Sequence, residues 1–331
     1  MTVVKGVELD DYKYDKNELK LVIKNNNPIE EKLHVIAVIS NPCLYLRRYI
    51  LFKQFMLRML NEEPNVILYV VELAYKNQKF IITDSKNPKH LQLRCDTPLW
   101  HKENMINIGV KKLLPNNWKA FAWIDGDLEF ESSTWALDTL KILNGYKDIV
   151  QVWSHCVDMD NNKKTMNIFN SAGYHYSKNH KYVSHGVNYW HPGYAWAITR
   201  TAYEIIGGLY ERAILGSGDN IMMFSLLNNV IKSLHEESTI EYKQDVLEFE
   251  SKMSSLRFGY VPGLIYHYFH GSKANRKYTE RWKILVNHNY NPITFIKKDE
   301  NGILVPTNVY PKSLESDIIN YFQERNEDEY L

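Results

Sequence analysis

Cysteine is scarce in this chain. There are three, Cys43, Cys95 and Cys156, odd in number, widely spaced and without a Cys-x-x-Cys pair. Neither a disulfide framework nor a zinc ribbon is encoded, and buried free thiols are expected. No stretch approaches 18 uninterrupted apolar residues, so no transmembrane span is expected. The opening MTVVKGVELDDYKYDKNELK lacks the apolar centre of a secretory signal, and the expectation is a soluble, cytoplasmic chain. A charge surplus is missing too. Forty basic and 39 acidic residues leave a formal net charge of +1 over 331 residues, which argues against a nucleic-acid-coating protein. There is no G-x-x-x-x-G-K-S/T phosphate loop and no G-x-S-x-G nucleophile turn, and the glycines before Asp219 lack the third member of a dinucleotide fingerprint. His235-Glu236-Glu237 has no second zincin histidine. The Asp158 and Asp160 run meets Lys163 where a calcium loop needs glycine.

What is present is an alternation of strands and helices. Leu33–Ser40 (LHVIAVIS) is a near-continuous apolar run of the kind that fills a buried parallel strand. A helix over 44–60 follows, with Tyr49, Phe52, Met56 and Met59 on one face. Strands are expected at 66–73, 80–83, 121–124, 149–153 and 261–268. Helices are expected at 100–114, 135–143 (with Ser132, Ser133 and Thr134 as caps), 203–206 closed by Gly207-Gly208, and 219–232. Residues 154–190 read as a long polar loop, 235–244 as a charged surface insert, and the tail from 301 as polar with a short helix at 313–324. The fold class implied is α/β, a mixed, mainly parallel central sheet with helices on both faces. Ligands bind such sheets at the carboxyl ends of the strands, where Ser40, Glu72 and Asp125 would project.

Four stretches carry chemistry. In FAWIDGDLEF, four apolar residues stop abruptly at Asp125-Gly126-Asp127. Two carboxylates at a buried strand end suit a hard cation such as Mn²⁺ or Mg²⁺ shared with phosphates. In WHPGYAWAIT (Trp190 to Thr199), Gly193 sits between aromatic residues that can stack on sugar rings, and in GGLYERAILGSGDN, Asp219 opens a helix. There it is either an N-cap or a general base. In HYFHGSKANRKYTER, His267 and His270 leave a strand ahead of Lys273, Arg276, Lys277 and Arg281. Imidazoles can complete an Asp-x-Asp metal site, and the cations suit a diphosphate.

Taken in order, KENMINIGVKKLLPNNWKAFAWIDGDLEF, YAWAITRTAYEIIGGLYERAILGSGDN and FHGSKANR resemble a GT-A (Rossmann-like) nucleotide-sugar glycosyltransferase of the beta-1,4-galactosyltransferase / polypeptide GalNAc-transferase C-terminal type. The resemblance spans residues 33–295. It implies an N-terminal extension over 1–31, a GT-A domain over 32–295 and a tail over 296–331 that packs on or extends from the core. It also implies a hexosyl- or N-acetylhexosaminyltransferase with Mn²⁺ (or Mg²⁺), a UDP-sugar donor, and a glycan or other hydroxyl acceptor. Carried over by residue, Asp127 is the direct metal ligand, Asp125 contacts ribose or metal, and His270, or else His267, is the further ligand. Asn41, Arg47 and Glu72 lie where that family holds uridine, Gly193, Tyr194 and Trp196 border the donor sugar, Lys273 and Arg276 meet the phosphates, and Asp219 is the base. The family's W-G-G-E-D or W-G-G-E-N turn is here Gly216-Ser217-Gly218-Asp219-Asn220, without its tryptophan and glutamate. Two other readings of the same residues are a nucleotidyltransferase-type metal enzyme and a non-catalytic glycan-binding module.

Overall fold

The computed structural model describes residues 18–186 and 188–331, and the backbone of two short paired strands, Val3–Val4 and Val7–Glu8. The rest of the expected N-terminal extension, up to residue 17, lies outside the described residues, as does Val187. The fold is α/β, built on a seven-stranded sheet. Its order in space is Phe258–Tyr260, Ile149–Gln151, Ala195–Thr199, Ala120–Ile124, Leu33–Ser40, Val66–Tyr75 and His90–Cys95. Only Ala195–Thr199 runs against the others. The sheet is therefore mixed and mainly parallel, as the strand–helix alternation implied.

The apolar runs are explained by burial on both faces. Along the first core strand Ile36 belongs to one hydrophobic cluster, while Val35, Ala37 and Ile39 belong to the other. Helix Lys102–Leu113 packs on the first face and helices Leu46–Asn61 and Trp135–Leu143 on the second. The residues of the Leu46–Asn61 helix that become buried are Leu51, Phe52, Phe55 and Met59, so the face is rotated from the one the sequence pattern favours.

A second, five-stranded sheet was not anticipated. Its order is Trp190–His191, Thr165–Ser171, His155–Met159, Leu264–His267 and Leu128–Phe130. It replaces the polar loop expected over 154–190. Its strands carry Asp158, His155 and Asn170 in buried positions, so the usual apolar alternation is absent. Other differences follow the same logic. Residues 80–83 are irregular and the edge strand is His90–Cys95. The charged 235–244 segment runs into helix Ile240–Met253, which buries Tyr242, Val246, Phe249 and Met253. Helix Gly218–Leu226 stops early and gives way to a 3-10 turn at Val230–Ser233. The single late strand is two, Phe258–Tyr260 and Leu264–His267, one in each sheet. Outside both sheets, helix Glu18–Asn25 lies against helix Trp135–Leu143, held by Lys141 Nζ to the Ile23 carbonyl at 2.8 Å. The tail forms helix Lys312–Glu324 and then turns back toward the strand ends.

Candidate active site

The site lies where the chain crosses between the two sheets. Ala120–Ile124 is the central strand of the main sheet, Asp125-Gly126-Asp127 follows it, and Leu128–Phe130 enters the second. The turn is fixed by its backbone: Asp125 N–H donates to the Tyr194 carbonyl at 3.0 Å, and Tyr268 N–H to the Asp127 carbonyl at 2.9 Å. Gly126 is required by space. A Cβ there would lie 2.3 Å from Cδ2 of Phe52, which packs against the turn from helix Leu46–Asn61. The turn borders a cavity of about 620 Å³ at the carboxyl end of the sheet.

On one side of this cavity Asp127, His267 and His270 converge, with one ligand atom from each lying within 4.8 Å of the others. His270 Nε2 is 2.9 Å from Asp127 Oδ2, and His267 Nε2 is 3.7 Å from it. His267 Nδ1 donates to Asp158 Oδ1 at 2.6 Å, which leaves the Nε2 lone pair directed at the cluster, the usual arrangement behind a metal-binding imidazole. Burial raises the Asp127 carboxyl pKa, but His270 and His267 outweigh it and hold the group well below the carboxylate range. Burial likewise opposes ionisation of Asp158, yet His267 and Lys273 bring its pKa down to about 2. Asp127 Oδ1 is buried and has no hydrogen-bond partner among the described residues. An orphaned carboxylate oxygen beside two imidazoles fits a divalent cation such as Mn²⁺.

Asp125 is not in that cluster. Its carboxylate is paired with Lys102, at the start of helix Lys102–Leu113. Burial disfavours the Lys102 ammonium, but Asp125, Asp219 and Glu103 more than offset it and raise its pKa. Asp219 reaches the same cavity from helix Gly218–Leu226. Ser217 holds the cap position and Asp219 is the second helical residue, so it does not serve as the N-cap. Its Oδ2 would lie 2.8 Å from a Cβ on Gly193, so glycine is what admits the carboxylate at that distance. Behind it, burial raises the Glu103 carboxyl pKa to about 7. Tyr194 adopts φ +84°, a strained conformation for a bulky residue, and its ring stacks on His191 at 4.1 Å. Burial, with Lys273 and His267 nearby, lowers the His191 pKa to about 3.

The cavity wall thus brings together Asn41, Asp125, Asp127, Gly193, Tyr194, Asp219, His267, His270, Lys273 and Arg276. Three expected residues lie outside it. Glu72 is buried, and its carboxylate accepts from the backbone N–H groups of Ile81, Ile82 and Thr83 and from the Thr83 hydroxyl. It clamps a loop and has no capacity left for a ribose. Arg47 turns away to Asn161 and the Glu329 carbonyl, and its neighbour Arg48 takes the cavity position. Trp196 is a core residue between Trp123 and Phe258, because its strand position faces the sheet interior. Asn41 reaches the wall, but its side chain closes a turn on the Tyr45 backbone. Sequence reasoning missed Arg48, Lys102, Arg325 and Glu327. The last two come from a polar tail with no motif. There Glu327 is 1% exposed, paired with Arg48 and Arg325, and 3.8 Å from His270 Nδ1.

No protein-family model matches the chain, and no curated protein matches it. Among solved structures, it is similar to the catalytic domain of a Drosophila beta1,4-galactosyltransferase 7 in complex with xylobiose. The match has 10% identity and a TM-score of 0.32, and covers 70% of this chain and 65% of that one. A second structure of that enzyme, a mutant with manganese, UDP-Gal and xylobiose, matches with 9% identity and a TM-score of 0.38, over 83% of this chain and 94% of that one. A mannosyltransferase from Pyrobaculum calidifontis with GDP-Man and Mn²⁺ matches with 12% identity and a TM-score of 0.41, over 80% and 67%. These are distant likenesses, and function is inferred below from the cavity's own residues. No described helix is long and apolar enough to cross a membrane.

Proposed function

We propose that this protein is a metal-dependent glycosyltransferase that moves a sugar from a UDP-sugar to an acceptor hydroxyl. The observation that carries the reading is the sharing of one 620 Å³ cavity by the Asp127–His267–His270 cluster and the Asp219 carboxylate. An in-line transfer of a sugar to a hydroxyl is served by both: a cation site for the diphosphate leaving group and a base for the nucleophile.

Asp127, His267 and His270 would hold the cation, with Asp158 fixing the His267 tautomer. When bound, the metal supplies charge neutralisation to the departing diphosphate. Arg276, whose Nη2 lies 2.7 Å from His270 Nε2, adds a fixed positive charge beside it. Lys273 is 2.5 Å from Asp158 Oδ2, so its charge is shared between that carboxylate and the cavity. Asp219 takes the acceptor proton. The acceptor oxygen forms a bond to the anomeric carbon as that carbon's bond to the phosphate oxygen breaks, and the electron pair leaves with UDP. Lys102, which feels both Asp125 and Asp219, offsets part of the repulsion between the two carboxylates. Gly193 and Tyr194 form the wall beside Asp219, where the donor sugar is expected.

The test is turnover of a panel of UDP-hexoses and UDP-N-acetylhexosamines with Mn²⁺, read as UDP release. Release that EDTA abolishes is expected. Turnover of nucleoside triphosphates to pyrophosphate, with the UDP-sugars untouched, would contradict the assignment.

A further inference from the structure

The cations that line the cavity differ in their partners. Four of its cations have a carboxylate partner: Lys102 with Asp125, Lys273 with Asp158, and Arg48 and Arg325 with Glu327. Among the described residues Arg276 and Arg281 have none within ion-pair distance. Arg276 stands at the metal cluster, where the diphosphate is proposed. Arg281 stands at the Asp219 end. Its Nη2 donates to the hydroxyl of Ser217, two residues before Asp219, and its Nη1 to the Tyr321 hydroxyl at 3.3 Å. Neutral hydroxyls satisfy the geometry of a guanidinium without balancing its charge. The guanidinium lies over the Tyr278 ring at 5.3 Å, and Tyr278, Trp282 and Tyr189 give this end of the cavity aromatic surfaces.

We infer that the acceptor is an anionic saccharide, a sugar bearing a carboxylate or a phosphate ester, whose charge is received by Arg281. This rests on the transferase reading and adds the acceptor class to it. A planar guanidinium fork pairs with either oxyanion in two parallel hydrogen bonds, and aromatic faces next to it receive the sugar ring. Placed there, the anion anchors the acceptor at the Asp219 end of the cavity. A neutral sugar would leave Arg281 with no anion within ion-pair distance. Arg281 is a specificity residue in this account.

The experiment measures binding of three p-nitrophenyl glycosides to the full chain by ligand-observed NMR, with and without UDP and Mn²⁺: a glucuronide, a glucoside 6-phosphate and the neutral glucoside. At least tenfold tighter binding of one or both anionic glycosides is expected. Tighter binding of the glucuronide assigns a carboxylate, and of the phosphate ester a phosphate. Arg281→Met is expected to remove the preference and Arg281→Lys to retain part of it, both with an unchanged UDP Kd. Equal binding of all three glycosides to the unmodified protein overturns the inference whether or not the variants fold. Loss of UDP affinity in Arg281→Lys, with the glycosides unaffected, overturns it as well and moves Arg281 to the donor. Absence of UDP binding to the unmodified protein, with the anion preference intact, removes the transferase reading alone.

Discussion

At the scale of single residues, most of the site's behaviour turns on the charges around Asp127 and on the room left by Gly126. Asp158 touches the cluster only through His267 Nδ1, at 2.6 Å. Asp158→Asn removes the charge that fixes the imidazole, and metal affinity should fall by roughly 10- to 100-fold with the fold intact. Titration of Mn²⁺ followed by spin-relaxation of water protons checks this; an unchanged affinity would show that Asp158 does not orient the ligand. Asp219→Asn should cut transfer by at least about 100-fold, since a general base typically contributes that much, while UDP binding stays near its original value. A loss of UDP affinity instead would mark Asp219 as structural. Gly126→Ala puts a methyl 2.3 Å from the Phe52 ring. Overpacking of this kind costs about 1–3 kcal/mol, seen as a lower urea midpoint. Phe52→Leu in the same chain should restore part of it, and additive losses would mean that the two do not meet.

Among the elements, those that span a buried sheet were legible and those that build the site were less so. Leu33–Ser40, Trp135–Leu143 and the strand into Asp125 could be read because both faces of the sheet are apolar and the runs end at unmistakable turns. The second sheet could not, because Asp158 and His155 are buried and break the alternation that marks a strand. Asp125, Asp127, His267 and His270 stood out by residue type and spacing. Glu72 and Arg47 failed because position at a strand end or helix start does not say which way a side chain is drawn. The C-terminal tail gave no signal because its role is entirely long-range. Asp328 receives the free N–H groups of Leu46 and Arg47 at 2.9 and 2.8 Å, capping helix Leu46–Asn61 from the far end of the chain. Glu327 is held beneath it by Arg48 and Arg325. Asp328→Ala should cost about 1 kcal/mol, as loss of a cap does. Glu327→Ala should cost about 3 kcal/mol or more, because two guanidiniums lose their buried partner. Denaturant melts of both variants measure the difference, and equal losses would contradict the separate roles.

For the whole molecule, pH dependence follows from imidazoles kept neutral by burial. His101 and His175 are lowered to about 4 and His191 to about 3, each chiefly by desolvation. Between the ordinary histidine value near 6.5 and these values the unfolded chain binds more protons, so stability is present above about pH 6.5 and is lost as pH falls toward 4. Glu103, raised to about 7, works the other way between about 7 and 4.5, where the folded state holds the extra proton. Three histidines outnumber it, and the melting temperature should fall steadily below pH 6. His101→Gln should shrink that fall, by up to about 3 kcal/mol at full titration of one group. A melting temperature flat from pH 7 to 4.5 would contradict these assignments. The central claim, that the cation cluster and the cavity form a metal-dependent nucleotide-sugar site, is tested most directly by calorimetric titration of UDP into the protein, first with Mn²⁺ and then with EDTA. The account predicts saturable binding with Mn²⁺ that EDTA abolishes. Absence of binding in both conditions, or binding of equal strength in both, would contradict it.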